Sequence, residues 1–324
     1  MNDIRFLFID ALRSLAIIAV ILGHLPFYCY GGHYGVLTAC VATFHMPLFM
    51  MLSGYVTNIS KFSLISRLKI LVPFFVIGLS YTFMTDCDFV SFFTSESKNG
   101  YWFLWVIVLY FVVLHIIRIC KVKLPVAVIC VELIFISLHF FFRRTLVGTT
   151  ISTDHLWQMW PAFASGVLIR DVFIDKIKNR VMGVMGVLYF GALIMLFVGN
   201  HFTNEIVHKL LFVAAGLPLA IFFMVLFYYA EMSLKRKNFW GKNCLKKMAA
   251  VIGTQTLQVY TLHYFVLYLL SVLGIQRLSS FMDDMNLGYV VLMVSPLMAF
   301  MIACICIGLA KMIYAIRLGA IFGR

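Results

Sequence analysis

Three ionisable side chains lie within one apolar run, FIDALRSLAIIAVILGHLPF over residues 8–27: Asp10, Arg13 and His24. At 100° per residue, the eleven steps from Arg13 to His24 leave only about 20°, and Asp10 to Arg13 is an i,i+3 pair. One helical stripe therefore carries all three, filled in by Ile17 and Val20. An ionisable group in a membrane span costs roughly 2.5–3.5 kcal/mol on insertion scales, so a stripe of three must face protein or a water-filled cleft. Asp10 and Arg13 fit either a structural ion pair or a charged site. A neutral imidazole at His24 titrates near neutrality and is a natural general base. Two further runs carry a histidine each: His45 in VATFHMPLFMMLSGYV (41–56) and His263 in IGTQTLQVYTLHYFVLYLL (252–270). Imidazole can act as base or as acyl-carrying nucleophile. Ser53-Gly54 is a small pair at which a backbone or a ligand can approach closely. Arg67 and Lys69, in SRLKILVPFF (66–75), are ordinary cations at a cytoplasmic helix start or a grip for an anionic group. Glu132 and His139, seven residues apart, fit a structural pair or a proton relay.

The elements that carry these residues follow from composition. Of 324 residues, 63% are apolar and 12% charged, against roughly 45–50% and 25% in soluble domains. Such a chain cannot hide its apolar surface in a soluble core. The expected fold is an all-α polytopic integral membrane protein, a single membrane domain over 1–324 without a soluble domain. Ten stretches have the length and apolarity of a span: 7–26, 36–56, 66–85, 101–119, 124–142, 156–170, 181–200, 207–230, 249–273 and 288–316. Pro296 is expected to kink the tenth, and Trp157 and Trp160 to anchor the sixth at the interface. With the N-terminus inside, 20 of the 26 Lys and Arg fall in inner loops and ends and 5 in outer loops. This split predicts about ten transmembrane helices with both termini cytoplasmic. The outer segment 86–100 is polar enough to have structure of its own.

The net charge of +13 is accounted for by those inner loops, so no nucleic-acid partner is expected. The eight cysteines form no CxxC pair, and neither a GxxxxGK[ST] loop nor an HExxH motif is present, so no metal is expected. Without an internal repeat, a transporter or flippase for a glycan or small solute is the alternative that the intramembrane charges leave open.

The chain resembles the membrane acyltransferase-3 family, and within it the sugar O-acetylases similar to fucose 4-O-acetylase. Arg13 and His24 match that family's Arg-x10-His signature, within a D-x-L-R-x-[IL]-A pattern that starts at Asp10. FHMPLFMMLSGY (44–55), the basic pair Arg67 and Lys69 before LVPFF, YWFLWVIVLY (101–110) and IGTQTLQVYTLH (252–263) resemble its other motifs in order. Lys69 departs from members with a second Arg there. The resemblance implies an O-acyltransferase that takes acetyl from cytosolic acetyl-CoA, a donor substrate rather than a bound cofactor, to a hydroxyl of an extracytoplasmic surface polysaccharide or lipid-linked sugar. It further implies a multi-pass protein of a bacterial inner membrane, in contact with membrane lipid. Arg13 and His24 carry over as the essential pair. The other site candidates are Asp10, His45 and His263 for the chemistry, and Arg67, Lys69 and Ser53 for the donor, with the 235–247 basic run as a further phosphate grip. Arg13 and His24 stand roughly 16–17 Å apart along a helix. Direct transfer along helix 1 and transfer through a covalent acetyl intermediate both fit.

Overall fold

The computed structural model describes residues 7–31, 35–171, 186–188, 191, 205–236, 250–275 and 288–323. They are helical, with no strand among them. In chain order the helices are α1 (Leu7–Cys29), α2 (Gly35–Tyr55), α3 (Leu64–Leu68), α4 (Leu71–Met84), α5 (Phe89–Thr94), α6 (Trp102–Cys120), α7 (Leu124–Phe142), α8 (Leu146–Ile151), α9 (Thr153–Asp171), α10 (Glu205–Arg236), α11 (Thr256–Val272) and α12 (Gly288–Ala315). Six segments are long and apolar enough to cross a bilayer: Leu7–Cys29, Leu64–Met84, Trp102–Cys120, Leu124–Phe142, Lys209–Ser233 and Met293–Ala315. The protein is a multi-pass membrane protein. Helices also occupy the second, sixth and ninth expected stretches. The seventh, 181–200, falls almost wholly outside the described residues.

The helices form two compact units. The first comprises Met1–Phe49, Asn179–Tyr189 and Pro218–Ile316. Here α1, α11 and α12 pack on one another, burying Leu12, Ile17, Ile21 and Leu25 of α1 completely. Tyr30, just past α1, is tied to α12 by a 2.7 Å hydrogen bond between its hydroxyl and that of Ser295. Glu231 of α10 is 5% exposed, and its Oε2 accepts the Phe8 N–H at 2.7 Å. A buried carboxylate thus caps α1 at the end where its N–H groups lack intrahelical partners.

One expectation changes in this unit. Pro296, where a kink is expected, lies inside α12. The expected stretch 249–273 is interrupted: Gln255 leaves helical geometry at φ −110°, ψ 21°, between a helical turn at 250–254 and α11. Thr254 contributes, since its hydroxyl bonds the carbonyls of Ala250 (2.9 Å) and Val251 (3.0 Å), a local bond that competes with helix continuation.

The second unit comprises Met50–Lys178, Phe190–Leu217 and Arg317–Arg324. Its core is aromatic. Tyr110, Phe135, Trp160 and Phe163 meet at centroid distances from 5.0 to 6.0 Å. Trp160 is fully buried and donates to the Val128 carbonyl at 3.0 Å, and Trp157 is 5% exposed. The two tryptophans are therefore core residues of α9, not interfacial anchors. The Trp160 indole can be buried in this way because its one polar group has found a partner. Gly54 of α2 lies against the Phe163 carbonyl and Gly166 of α9 against the Met51 carbonyl, with no room for a Cβ at either.

The segment 86–100 does have structure of its own. Asp88 caps α5 by accepting from Val90 N and Ser91 N, each at 3.1 Å. Residues 98–100 then run through positive φ (48°, 50° and 94°). Lys98, 1% exposed, donates its ammonium to the carbonyls of Phe93 (2.8 Å), Ser95 (2.6 Å) and Thr149 (2.9 Å).

Candidate active site

In the first unit, α1 and α11 bring two of the sequence-predicted histidines together. The His24 and His263 rings are 5.5 Å apart. His24 Nε2 is 3.1 Å from the Tyr264 hydroxyl. Tyr28 adds a second aromatic wall, its centroid 6.4 Å from His24. His45 of α2 lies near enough for its charge to act on both His24 and His263. All three candidate histidines thus form one cluster.

Two of them have their tautomer set by their own helix. His45 Nδ1 is 2.6 Å from the Val41 carbonyl, and His263 Nδ1 is 2.6 Å from the Tyr260 carbonyl. A carbonyl oxygen only accepts, so each Nδ1 holds a proton, and in the neutral ring Nε2 is the nitrogen with the lone pair. The His263 Nε2 is buried and has no hydrogen-bond partner among the described residues. A buried unpartnered acceptor is costly in a purely structural role. It suits a site where a proton or an acyl group arrives.

Asp10 and Arg13 lie on the same stripe as His24, toward the start of α1. Arg13 Nη1 is 3.7 Å from Asp10 Oδ1, with the carboxylate 5% exposed and the guanidinium 30%. Gly253 closes against the Asp10 backbone so tightly that a Cβ there would overlap its carbonyl. The turn before α11 therefore fixes the height at which α1 presents Asp10, Arg13 and His24.

The donor-side candidates belong to the second unit. Arg67 is half-buried, its guanidinium carbon 5.2 Å from the centroid of the Phe111 ring, a cation–π arrangement that holds the charge in place. Lys69 is exposed. Its main-chain carbonyl is covered by Gly323, which has φ +72°, and Phe322 beside it is 1% exposed. The 3₁₀ turn Gly319–Phe322 packs on α4, so the chain's last residues brace the Arg67–Lys69 segment. Ser53 accepts the Thr57 hydroxyl at its carbonyl (2.7 Å), and Gly54 beside it makes the close helix approach that a small pair allows. Most of the basic run 235–247 lies outside the described residues.

Some functional-looking groups were not apparent from sequence. Tyr264, Tyr28 and Glu231 carry no motif, and the adjacency of Tyr264 to His263 was the one available signal. His139 is paired with Asp154 rather than with Glu132: its Nδ1 is 3.0 Å from Asp154 Oδ1, and Lys209 Nζ lies 2.7 Å from the same carboxylate. Seven residues along a helix span about 10 Å, too far for a Glu132–His139 contact. Near them Glu96 reaches His155 at 3.6 Å, and Trp102 stacks on the His155 ring at 4.0 Å.

The described residues thus make an all-helical, multi-pass membrane protein with imidazoles beside a charged stripe. A family model described as an acyltransferase domain, that of acyltransferase-3, matches residues 6–311. The chain belongs to that family and is an acyltransferase. No curated protein and no solved structure matches it.

Proposed function

We propose that this acyltransferase moves acetyl from cytosolic acetyl-CoA to a hydroxyl of an extracytoplasmic surface polysaccharide or lipid-linked sugar. It would act in a bacterial cytoplasmic membrane, with ten spans and both termini inside, as a sugar O-acetylase. The observation that carries this reading is the His24–His45–His263 cluster, with Nδ1 of His45 and of His263 each bonded to a backbone carbonyl, so that Nε2 is the lone-pair nitrogen of the neutral ring.

The chemistry needs a base and a place for the thioester. An imidazole of the cluster takes the proton from the acceptor hydroxyl, and that oxygen attacks the thioester carbonyl carbon. The C–S bond breaks, coenzyme A leaves as thiolate, and the thiolate takes up a proton from the imidazolium or from water. In the two-step route a free Nε2 attacks the thioester first and holds the acetyl group until the acceptor oxygen takes it. The Tyr264 hydroxyl orients His24. Asp10 holds Arg13, which faces the thioester end of the donor, and Arg67 and Lys69 hold anionic parts of the donor, with Ser53 at the close approach beside Gly54.

The test uses intact cells expressing wild type, His24→Ala or Arg13→Ala at matched membrane levels, with base-labile acetyl quantified on purified surface glycan. Wild type is expected to add acetyl and both variants to lose it. Variants that acetylate as wild type does would show the helix 1 stripe to be structural. Label retained on the chain from [14C]acetyl-CoA without acceptor, released by hydroxylamine and lost in His263→Gln or His45→Gln, identifies the two-step route.

A further inference from the structure

The second unit contains a recess of about 620 Å³ whose wall includes Arg118, Lys121 and Arg170, with Asn58 and Ser60, and no carboxylate among the described residues. We infer that this recess binds clustered phosphate esters and that it seats the nucleotide end of the acyl donor. The inference rests on the acyl-CoA reading above and places part of that donor away from Arg67 and Lys69.

Cations near helix ends are ordinary, and α6 and α9 both end here. Three features go beyond that ordinary use. First, the two guanidiniums are aimed. Arg118 Nη1 donates to the Phe62 carbonyl at 2.9 Å and Arg170 Nη1 to the Tyr55 carbonyl at 3.3 Å. Each guanidinium has five N–H donors, so one anchoring bond leaves four in a planar fork suited to phosphate. Second, the described lining concentrates three positive charges, Arg118, Lys121 and Arg170, around one recess, where their mutual repulsion favours a bound anion. Third, one wall is apolar, formed by Ile117 and Val167, both buried, with Leu124. A polyanion with an attached aromatic base matches a basic rim and an apolar wall. The volume lies within the roughly 300–1,000 Å³ of small-molecule sites. The same phosphate chemistry is offered by the headgroups of anionic lipids, because the charge split assigns these loops to the cytosolic membrane surface.

The experiment uses the full chain in nanodiscs of neutral phosphatidylcholine, with 3′,5′-ADP as the probe for the nucleotide end and coenzyme A as the whole donor. Variants are Lys121→Gln, which disturbs no described side-chain hydrogen bond, Arg118→Gln and Arg170→Gln, each compared with the Lys replacement at the two arginines. The expected result is 3′,5′-ADP binding that weakens about tenfold per lost cation, falls with salt and is largely kept by the Lys replacements. The KM for acyl-CoA should rise in parallel while kcat at saturating donor changes less than twofold. Wild-type 3′,5′-ADP affinity in all three Gln variants would overturn the inference. So would a wild type that ignores 3′,5′-ADP yet retains phosphatidylglycerol through these residues, since the phosphate would then belong to lipid. Coenzyme A binding that is indifferent to the three cations overturns the inference alone and leaves the transferase reading standing. A recess that binds 3′,5′-ADP in cells whose glycan gains no acetyl would sustain the inference and remove the acetyl or glycan assignment.

Discussion

Gly253→Ala should damage catalysis without touching a reactive group. A Cβ at this position would overlap the Asp10 carbonyl oxygen and stand 2.6 Å from its carbon and 2.7 Å from its Cα. Ordinary contact begins at 3.4 Å, so the two backbones must part by at least about 0.8 Å, and the obstacle is main chain that cannot rotate aside. Overpacking of this kind costs about 1–3 kcal/mol. A displacement approaching 1 Å at the segment bearing Asp10 and Arg13 can cost on the order of 100-fold in rate. The control is Gly308→Ala in α12, where an added Cβ meets nothing within 4 Å and the better helix former should be neutral or stabilising by up to about 1 kcal/mol. Acyl transfer and thermal unfolding of the detergent-purified chain would be measured for both. Gly253→Ala is expected to lower both readouts and Gly308→Ala neither. Wild-type behaviour in Gly253→Ala would refute the claim that this turn sets the position of α1.

Other substitutions probe other parts of the fold. Glu231→Ala removes the acceptor bonded to the Phe8 N–H and should cost about 2 kcal/mol, with Glu231→Gln recovering most of the unfolding temperature. Gly323→Ala places a Cβ at φ +72° against the Lys69 carbonyl, costing about 1–2 kcal/mol, and should raise the KM for acyl donor more than it lowers kcat. Lys98→Met removes the donor from three carbonyls and should destabilise the 86–100 segment by about 3 kcal/mol, seen as faster limited proteolysis there. Burial pushes the Lys98 ammonium down to about 8 from its ordinary 10.5, with Glu96 opposing. Between pH 8 and 10.5 the unfolded chain holds the extra proton, so wild-type stability should rise with pH through that window and Lys98→Met should lack the slope.

Helix 1 was the most legible element, because three ionisable groups in an otherwise apolar run can share only one face at a period of 3.6 residues. The meeting of His24 with His263 was not legible, since nothing in a single sequence says which faces of α1 and α11 touch. Membrane helices blur the usual signal further: lipid-facing and core-facing positions are both apolar, so the hydrophobic pattern does not mark the buried side. The same ambiguity hides Trp160, whose burial depends on the Val128 carbonyl supplied by another helix. Lys98 reads as a loop cation until its three carbonyl partners are seen. The interruption at Gln255 had a faint sign in the Gly-Thr-Gln sequence, outweighed by the apolar residues around it.

The bonds at His45 and His263 are internal to the helices that carry them, reaching back four and three residues. Each imidazole brings its own mount. Its ring plane and its proton travel with the helix and do not depend on a partner across the interface. Residues around the cluster can therefore be exchanged to admit a different acceptor or a longer acyl chain while the ring nitrogens keep their aim. A transferase constructed in this way is a scaffold whose substrate range can be redrawn by repacking its walls.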